Sequence, residues 1–538
     1  MTNKGQSFNS ATSRTPELLC QFGALGHMPP SAPAICCDNL TLTYDELNAR
    51  IAQAHGAFVE FGLLPGDRIV LLLPTSPEFV IAYFAAHRAG LVVIPLNPLL
   101  GTAELDFILS SMLPSLIVIS ASSADMPAAG YFSSQNESLS GIAPILCFGS
   151  SDDEIVSLDV LMERADPTLP SSPRGLSEEV LILFTSGTSG RPKGASLVQQ
   201  AVINNTRYSN ETLGITTQDT LLCPLPLSHV FGQMVLMLGA LMAGAALVLV
   251  PRANPKRVLE AMSRTAPTLM AAVPTTFAAL ADLATTERER ASQGCRRLRC
   301  ALTGGAPLSG AIAEAFERAF GRPLHKGYGM TEVGCCIALE NVNKPPTPGV
   351  GRISDFLDFR VVPLADDSLD RGELELRGSN IFRGYYIDGI LTPRQSEEWF
   401  PTGDLVQIND DGTITIFDRR KELVIRGGYN VYPSEVEAVL LQHPDVQLAA
   451  VVGVEDAKLG QEVAAFLQLV PGTKIEPAEL ADWCRARIAL YKYPRLMAVM
   501  AKLPTNPTGK IVKRDLDRTL LRPVATIAET YPTNTPQN

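Results

Sequence analysis

The 538-residue chain carries 45 basic and 56 acidic side chains, a formal charge of −11, and 46% hydrophobic residues. That length exceeds one ordinary core, so two or more domains are expected, and the composition is that of a globular protein. The acidic balance, with no Lys/Arg-rich run, argues against nucleic acid as a partner and makes anionic lipid a poor one.

The polar opening, MTNKGQSFNSATSRTPELL, lacks the apolar core of a signal peptide. From Arg68 onward, short apolar runs alternate with helical patterns. Strands are expected at Arg68–Leu73, Leu91–Pro95 and Leu116–Ser120, and helices at Glu78–Ala89 and Ala103–Met112. The Ser-rich stretch Ala121–Ser140 and the Pro/Ser-rich Asp166–Gly175 read as loops. Met234–Val250 is an unbroken apolar and Gly run, close to the roughly 18–20 residues of a membrane span. Its small residues, its β-like ending and the lack of an N-terminal basic flank predict a buried helix running into a buried strand. The alternation resumes with strands at Thr268–Val273 and Arg299–Leu302 and a helix at Leu308–Phe320. Strands separated by helices of this length imply parallel sheets covered on both faces. Between Gly349 and Arg383 the pattern becomes short and turn-punctuated, as in a small β-barrel. After Asp418 comes a compact α+β stretch, where Ser434 and Glu437 have capping-box spacing at the start of a helix. From about residue 522 the Thr/Pro/Asn-rich tail is expected to be disordered.

Ten cysteines are scattered without a C-x-x-C pair; Cys36-Cys37 and Cys335-Cys336 are adjacent. Reduced thiols in a cytoplasmic setting are the expectation.

One segment carries a clear chemical signal. In Leu181-Ile-Leu-Phe-Thr-Ser-Gly-Thr-Ser-Gly-Arg-Pro-Lys-Gly194 a buried strand runs into a loop of small hydroxyl residues and glycines that ends with a cation. Gly187 and Gly190 let backbone N–H groups turn inward, Thr185, Ser186, Thr188 and Ser189 add hydroxyls, and Lys193 adds charge. The combination suits a polyphosphate. The Walker A spacing is absent. Elsewhere, Tyr328 lies between two glycines and could offer an aromatic face to a base. Thr331 offers a hydroxyl, Glu332 is a hard oxygen ligand suited to Mg²⁺, and Asp404, in Thr402-Gly-Asp404, can accept two hydrogen bonds from a diol.

With Thr185–Gly194 stand Pro226-Leu-Ser-His-Val-Phe-Gly232, Gly327-Tyr-Gly-Met-Thr-Glu332, Thr402-Gly-Asp404, Asp418-Arg-Arg-Lys-Glu422 with Gly427-Gly428, and Pro504-Thr-Asn-Pro-Thr-Gly-Lys510. Leu42-Thr-Tyr-Asp-Glu-Leu47 adds an N-terminal element. In this order, from about residue 40 to 515, the chain resembles the adenylate-forming superfamily of acyl-CoA and aryl-CoA ligases, peptide-synthetase adenylation domains and firefly-type luciferases. The resemblance implies a large N-terminal α/β domain over residues 1–419, with stacked sheets, helices on both faces and a small barrel-like part. A small mobile α+β domain over 420–538 follows.

The resemblance also implies roles. Gly305, Ala306, Pro307 and Gly329 join the phosphate loop, Tyr328, Asp404 and Arg419 in holding ATP or AMP. Thr331 contacts the α-phosphate, Glu332 holds Mg²⁺, and Lys421 is the hinge. Gly427 and Gly428 face the pantetheine of coenzyme A, and His229, Phe231, Gly304, Gly327 and Val333 line the acyl pocket. Glu435 is read as serving a helix terminus instead. Lys510 is the adenylation lysine. A carboxylate attacking the α-phosphate brings two anions together, and a mobile ammonium relieves that repulsion.

Pro226–Gly244 contains no Asp or Glu, so a buried substrate ammonium would lack a partner there. The expected substrate is therefore a fatty or aryl acid. The expected activity is acyl-AMP formation with pyrophosphate release, then transfer to coenzyme A. The runner-up is an acyl-AMP ligase that loads the phosphopantetheine of an acyl carrier protein. A luciferase-like oxygenase and a catalytically dead nucleotide-binding regulator are the other classes, the last disfavoured by the presence of Glu332 and Lys510.

Overall fold

The computed structural model describes residues 29–121, 143–149, 155–172, 174–186, 192–364, 371–395, 397–473, 475–505 and 511–524. Contacts divide the chain into two compact units. The first comprises Met1–Arg360, Glu375–Pro401 and Ile408–Thr415; the second comprises Val361–Leu374, Thr402–Gln407 and Ile416–Asn538.

The first unit contains two nine-stranded sheets. In one, Arg68–Leu71 lies parallel between Val92–Pro95 and Leu116–Ser120, joined by the helices Pro77–Arg88 and Thr102–Met112. These elements stand within a residue or two of the sequence expectation, because continuous Val/Ile/Leu runs mark strands buried on both faces. In the other, Leu269–Ala272, Cys300–Thr303 and Leu324–Met330 run parallel side by side. The sheet turns antiparallel toward its two edges, at Cys335–Leu339 with Arg352–Ile353 on one side and between Pro33–Cys37 and Leu40–Thr43 on the other. Leu42–Leu47 is a helix start: Thr43 caps Tyr44–Glu60, and its backbone N–H donates to Glu46 at 2.8 Å.

The apolar run at Met234 is buried helix followed by buried strand. Gly232–Leu238 is wound as a π-helix, Gly239–Ala243 continues as α-helix, and Ala246–Leu249 is a strand paired on both sides. No helix among the described residues is long and apolar enough to cross a membrane. Residues 122–142, most of the first expected loop, lie outside the described residues. The β-rich stretch forms a four-stranded sheet of Asp358–Val362, Arg371–Arg377, Phe400–Ile408 and Ile414–Arg419.

In the second unit the long hairpin Val446–Asp456 and Gly460–Leu469 carries the sheet, backed by the helices Pro433–Leu440 and Pro477–Arg485. Two expectations fail here. The helix starts after Tyr432, which makes no side-chain cap bond, and no Ser434–Glu437 box forms. The Ser434 hydroxyl turns to the Phe417 carbonyl and Asp418, while Glu437 accepts the Val451 N–H at 2.8 Å and pairs with Lys513. Local capping loses to tertiary partners. Nor does disorder begin at residue 522, because Arg522–Pro523 pairs antiparallel with Leu496–Met497.

His55 and His87 are buried at 0% and 1% exposure. Burial pushes their pKa values down to about 4 and about 3. Folded values below the unfolded 6.5 mean that the unfolded chain binds protons first as pH falls. Their contribution is intact above pH 6.5 and is lost progressively down to about pH 4. Each histidine then costs about 1.4 kcal/mol per pH unit. Buried Asp418, raised to about 6 chiefly by desolvation, opposes this below pH 6. With His229 also lowered to about 4 and buried His325 shifted the same way, against one such acid, urea midpoints should fall between pH 7 and pH 5. Unchanged midpoints would contradict the burial of neutral imidazoles.

Candidate active site

In the first unit, the phosphate-loop sequence forms a β-hairpin. Glu179–Ser186 runs beside Val92–Pro95 and returns as Pro192–Val198, with Thr185 opposite Lys193 and Ser186 opposite Pro192. Gly187, Thr188, Ser189 and Gly190, between the two strands in sequence, lie outside the described residues. Lys193 is therefore not the end of a loop, as expected, but the second residue of the return strand. Strand pairing extends past the apolar run into the hydroxyl residues.

The next strand in that sheet, Gly384–Ile387, places Tyr385 opposite Ala195. The Lys193 Nζ lies 5.7 Å from the centre of the Tyr385 ring, within cation–π range. On its other side the Tyr385 hydroxyl donates to Glu332 Oε1 at 2.5 Å. The Phe382 backbone N–H donates to the Glu332 carbonyl at 2.8 Å. Burial, then the negative charge of Glu332 and the bond to it, push the Tyr385 phenol well above its ordinary pKa. It stays protonated, as a donor.

Glu332 is 8% exposed, in the single 3-10 turn Thr331–Val333. That turn joins Leu324–Met330 to Cys335–Leu339 and is clamped from beneath by Asn205. The Asn205 Nδ2 donates to the Val333 carbonyl at 2.7 Å, and its Oδ1 accepts the Cys336 N–H at 2.8 Å. The strands approach so closely that a Cβ on Gly329 would lie 1.6 Å from the Cys335 carbonyl oxygen. Tyr328 is buried to 9% exposure, so most of its ring packs inward.

Gly304 and Gly305 follow the strand Cys300–Thr303, and Gly305 turns the chain with φ +79°. Ala306 and Pro307 lead on to the helix Gly310–Phe320. A Cβ on Gly304 would stand 3.1 Å from the Gly327 carbonyl oxygen and 3.4 Å from the Phe231 ring. Gly304, Gly327 and Phe231 thus come together, with fully buried Val333 in the neighbouring turn. His229 Nδ1 accepts the Phe231 N–H at 3.2 Å, and burial pushes its pKa down to about 4. At neutral pH it is an uncharged imidazole, in keeping with a wall and not an anion-binding cation.

The second unit holds the other predicted residues. Asp404 lies within the strand Phe400–Ile408. Its N–H donates to the Thr402 hydroxyl at 3.1 Å, and its Oδ1 meets Arg419 Nε at 2.9 Å. The Asp404 side chain is 3% exposed and that of Arg419 49%. Lys421 follows at an exposed turn. Gly427 and Gly428, with φ +58° and +86°, form the two-residue connection of the hairpin in which Arg426 opposes Tyr429. Two left-handed residues in succession are the geometry that favours glycine there. Glu435 binds Lys492 Nζ at 2.7 Å, so it serves a tertiary ion pair as well as the helix start. Lys510 lies outside the described residues.

Sequence reasoning missed Tyr385 and Asn205. Neither sits in a recognisable motif, and each acts on a turn more than 50 residues away, at a separation of 53 for Tyr385 and 128 for Asn205. Among the described residues, no group of three or more His, Cys, Asp or Glu could hold a metal ion. A cation here would have to share Glu332 with oxygens of a ligand. That fits Mg²⁺, which takes one or two carboxylates together with phosphates and water.

Residues 25–386 match the family model of the AMP-binding enzymes, and residues 435–510 match that of the AMP-binding enzyme C-terminal domain. The chain is 31% identical to a feruloyl-CoA synthase of Amycolatopsis sp., over 91% of this chain and 96% of that protein. It is 29% identical to a long-chain-fatty-acid–CoA ligase of Mycobacterium tuberculosis, over 88% and 92%. Among solved structures it resembles ATP-bound MatB from Rhodopseudomonas palustris, with a TM-score of 0.81, 28% identity and coverage of 93% and 98%. It also resembles the Bacillus subtilis o-succinylbenzoate CoA synthetase in complex with its acyl-adenylate, with a TM-score of 0.76, 27% identity and coverage of 93% and 97%. Matched by that family model over residues 25–386 and aligned almost end to end with such relatives, the chain belongs to the AMP-binding enzyme family.

Proposed function

We propose that this protein is an AMP-forming acid–CoA ligase for an apolar or aryl monocarboxylic acid. A substrate carboxylate oxygen attacks the α-phosphorus of ATP, and the bond to the β-phosphate oxygen breaks to release pyrophosphate. The coenzyme A thiolate then attacks the acyl carbon, and AMP leaves with the electron pair of the mixed anhydride. The observation that carries this reading is the convergence of Lys193 and Glu332 on Tyr385. A cation and a carboxylate of the kind that suits magnesium, both against one ring on the strand beside the hairpin, support it.

Roles follow from charge. The hairpin from Thr185 to Lys193, with Gly305, Ala306, Pro307, Tyr328, Gly329 and Thr331, cradles the nucleotide, and Glu332 shares Mg²⁺ with its phosphates. Asp404 and Arg419 take the ribose, Lys510 neutralises the approach of two anions, and Gly427 and Gly428 admit the thiol. Phe231, Gly304, Gly327 and Val333 are the wall for an apolar acyl group, and His229, held neutral, offers no charge to a second carboxylate. Coenzyme A is favoured over a carrier protein because the named relatives are CoA ligases.

A panel of fatty and benzoic or cinnamic acids, assayed for pyrophosphate release with and without coenzyme A, tests the reading. At least one acid should release pyrophosphate and yield acyl-CoA. Pyrophosphate without any thioester would move the acceptor to a carrier protein. No release with any acid would sink the assignment.

A further inference from the structure

The chemistry of Glu332 depends on where its carboxylate points, and the turn that carries it is three residues long. Asn205 fixes the backbone of that turn, and the Tyr385 hydroxyl bonds the Glu332 side chain. Tyr385 is itself fixed. Its strand pairs residue by residue with the return strand of the phosphate hairpin, Gly384 opposite Ser196 and Tyr386 opposite Gly194. Its ring packs edge-on against Phe382 at 4.6 Å, and Phe382 also holds the Glu332 carbonyl through its N–H. On the far side of Tyr386, Arg68 and Glu179 bond that neighbour's hydroxyl at 3.2 Å each, securing the strand from beneath. Tyr385 therefore measures the distance from the hairpin bearing Lys193 to the turn bearing Glu332.

We propose that Tyr385 is a positioning residue for the magnesium carboxylate: its hydroxyl holds Glu332 Oε1 so that Oε2 faces a cation carried by the nucleotide phosphates. The inference rests on the reading of Glu332 given above and deepens it. A ligating carboxylate is commonly oriented by an outer hydrogen-bond donor, and losing such a donor costs about 10- to 100-fold in metal affinity. Tyr385 supplies that donor from the strand that registers the phosphate hairpin, so Glu332, which would hold the cation, and the hairpin are placed by one piece of sheet. The same ring stands beneath Lys193, which ties a second phosphate-facing charge to the same strand.

Tyr385→Phe removes the hydroxyl and keeps the ring against Phe382, so the fold is retained and thermal melting serves as the control. The measurement is ATP binding to the full chain by titration calorimetry, in EDTA and across a Mg²⁺ series, with Glu332→Gln in parallel. For Tyr385→Phe, ATP affinity in EDTA should match the parent, while the Mg²⁺ concentration giving half of the metal-dependent gain should rise about tenfold. Adenylation should show the same rise in apparent KM for Mg²⁺ with kcat restored at saturating metal. An unchanged Mg²⁺ dependence in Tyr385→Phe, while Glu332→Gln abolishes it, overturns the role of Tyr385 and leaves Glu332 standing. Equal loss of ATP affinity with and without metal also overturns it, because that is general damage to the nucleotide pocket. If Glu332→Gln itself leaves the Mg²⁺ dependence untouched, Glu332 is not the metal carboxylate and both assignments fall.

Discussion

Lys510→Ala should lose acid-dependent pyrophosphate release by about 100- to 1,000-fold, while thioester formation from supplied acyl-adenylate stays within a few-fold of the parent. The scale is that of removing one group which stabilises developing charge in a water-excluded site. The asymmetry follows from electrostatics. In the first half-reaction a carboxylate approaches a phosphate that already carries negative charge, and an ammonium between them lowers the barrier. In the second, the acyl carbon is already activated as a mixed anhydride and the leaving group is AMP, so the same ammonium has no comparable task. Rapid-quench assays of the two half-reactions, run separately, make the comparison. Equal loss in both would show Lys510 to be a structural residue of its domain.

Gly329→Ala should be at least as damaging, for a steric reason. The added methyl would stand 1.6 Å from the Cys335 carbonyl oxygen and 2.6 Å from its carbon, both backbone atoms that no rotamer change can move. Cys335 already sits at φ +128°, and Gly334 before it at +73°, so the chain around the turn has little conformational slack. Relief requires the two strands to part, and that displaces Thr331 and Glu332 at the turn between them. A shift of about 1 Å in a positioning element costs about 100-fold in rate, and overpacking adds about 1–3 kcal/mol of destabilisation or more. Gly310→Ala is the matched control: no heavy atom lies within 4 Å of its added methyl, and it sits at the first position of a helix. That variant should be neutral or gain up to about 1 kcal/mol. A Gly329→Ala enzyme with parental melting temperature and parental pyrophosphate release would refute the close approach.

The parallel α/β layers were legible in the sequence because strands buried on both faces are uniformly apolar, and Leu116–Ser120 is found as expected. Thr331, Glu332 and Gly329 could be picked out because glycines and hard oxygen donors sit together in one short run. Three kinds of information were not local. Lys193 was assigned to a loop because composition marks small hydroxyl residues as turn-formers, while the pairing of Thr185 with Lys193 is decided by a strand partner. Ser434 and Glu437 have the spacing of a helix cap, yet the half-buried Lys513 and a backbone amide from residue 451 compete for Glu437 and win. Tyr385 has no motif of its own, and its importance arises only when the sheet order sets Gly384–Ile387 beside the phosphate hairpin.

The contact between Asp404 and Arg419 bears on turnover. A sealed carboxylate that carries its own counter-ion leaves the empty protein with no unmet charge at that point, so folding does not wait for a ligand. On the ribose role proposed for Asp404 and Arg419, an arriving sugar would displace a bond that already exists, and its net affinity would be a difference between two sets of contacts. Departure is eased by the same amount, because the guanidinium is on hand to re-form the pair. The proposed site would thus favour rapid exchange of spent nucleotide over tight retention, as suits a reaction that releases AMP in every cycle.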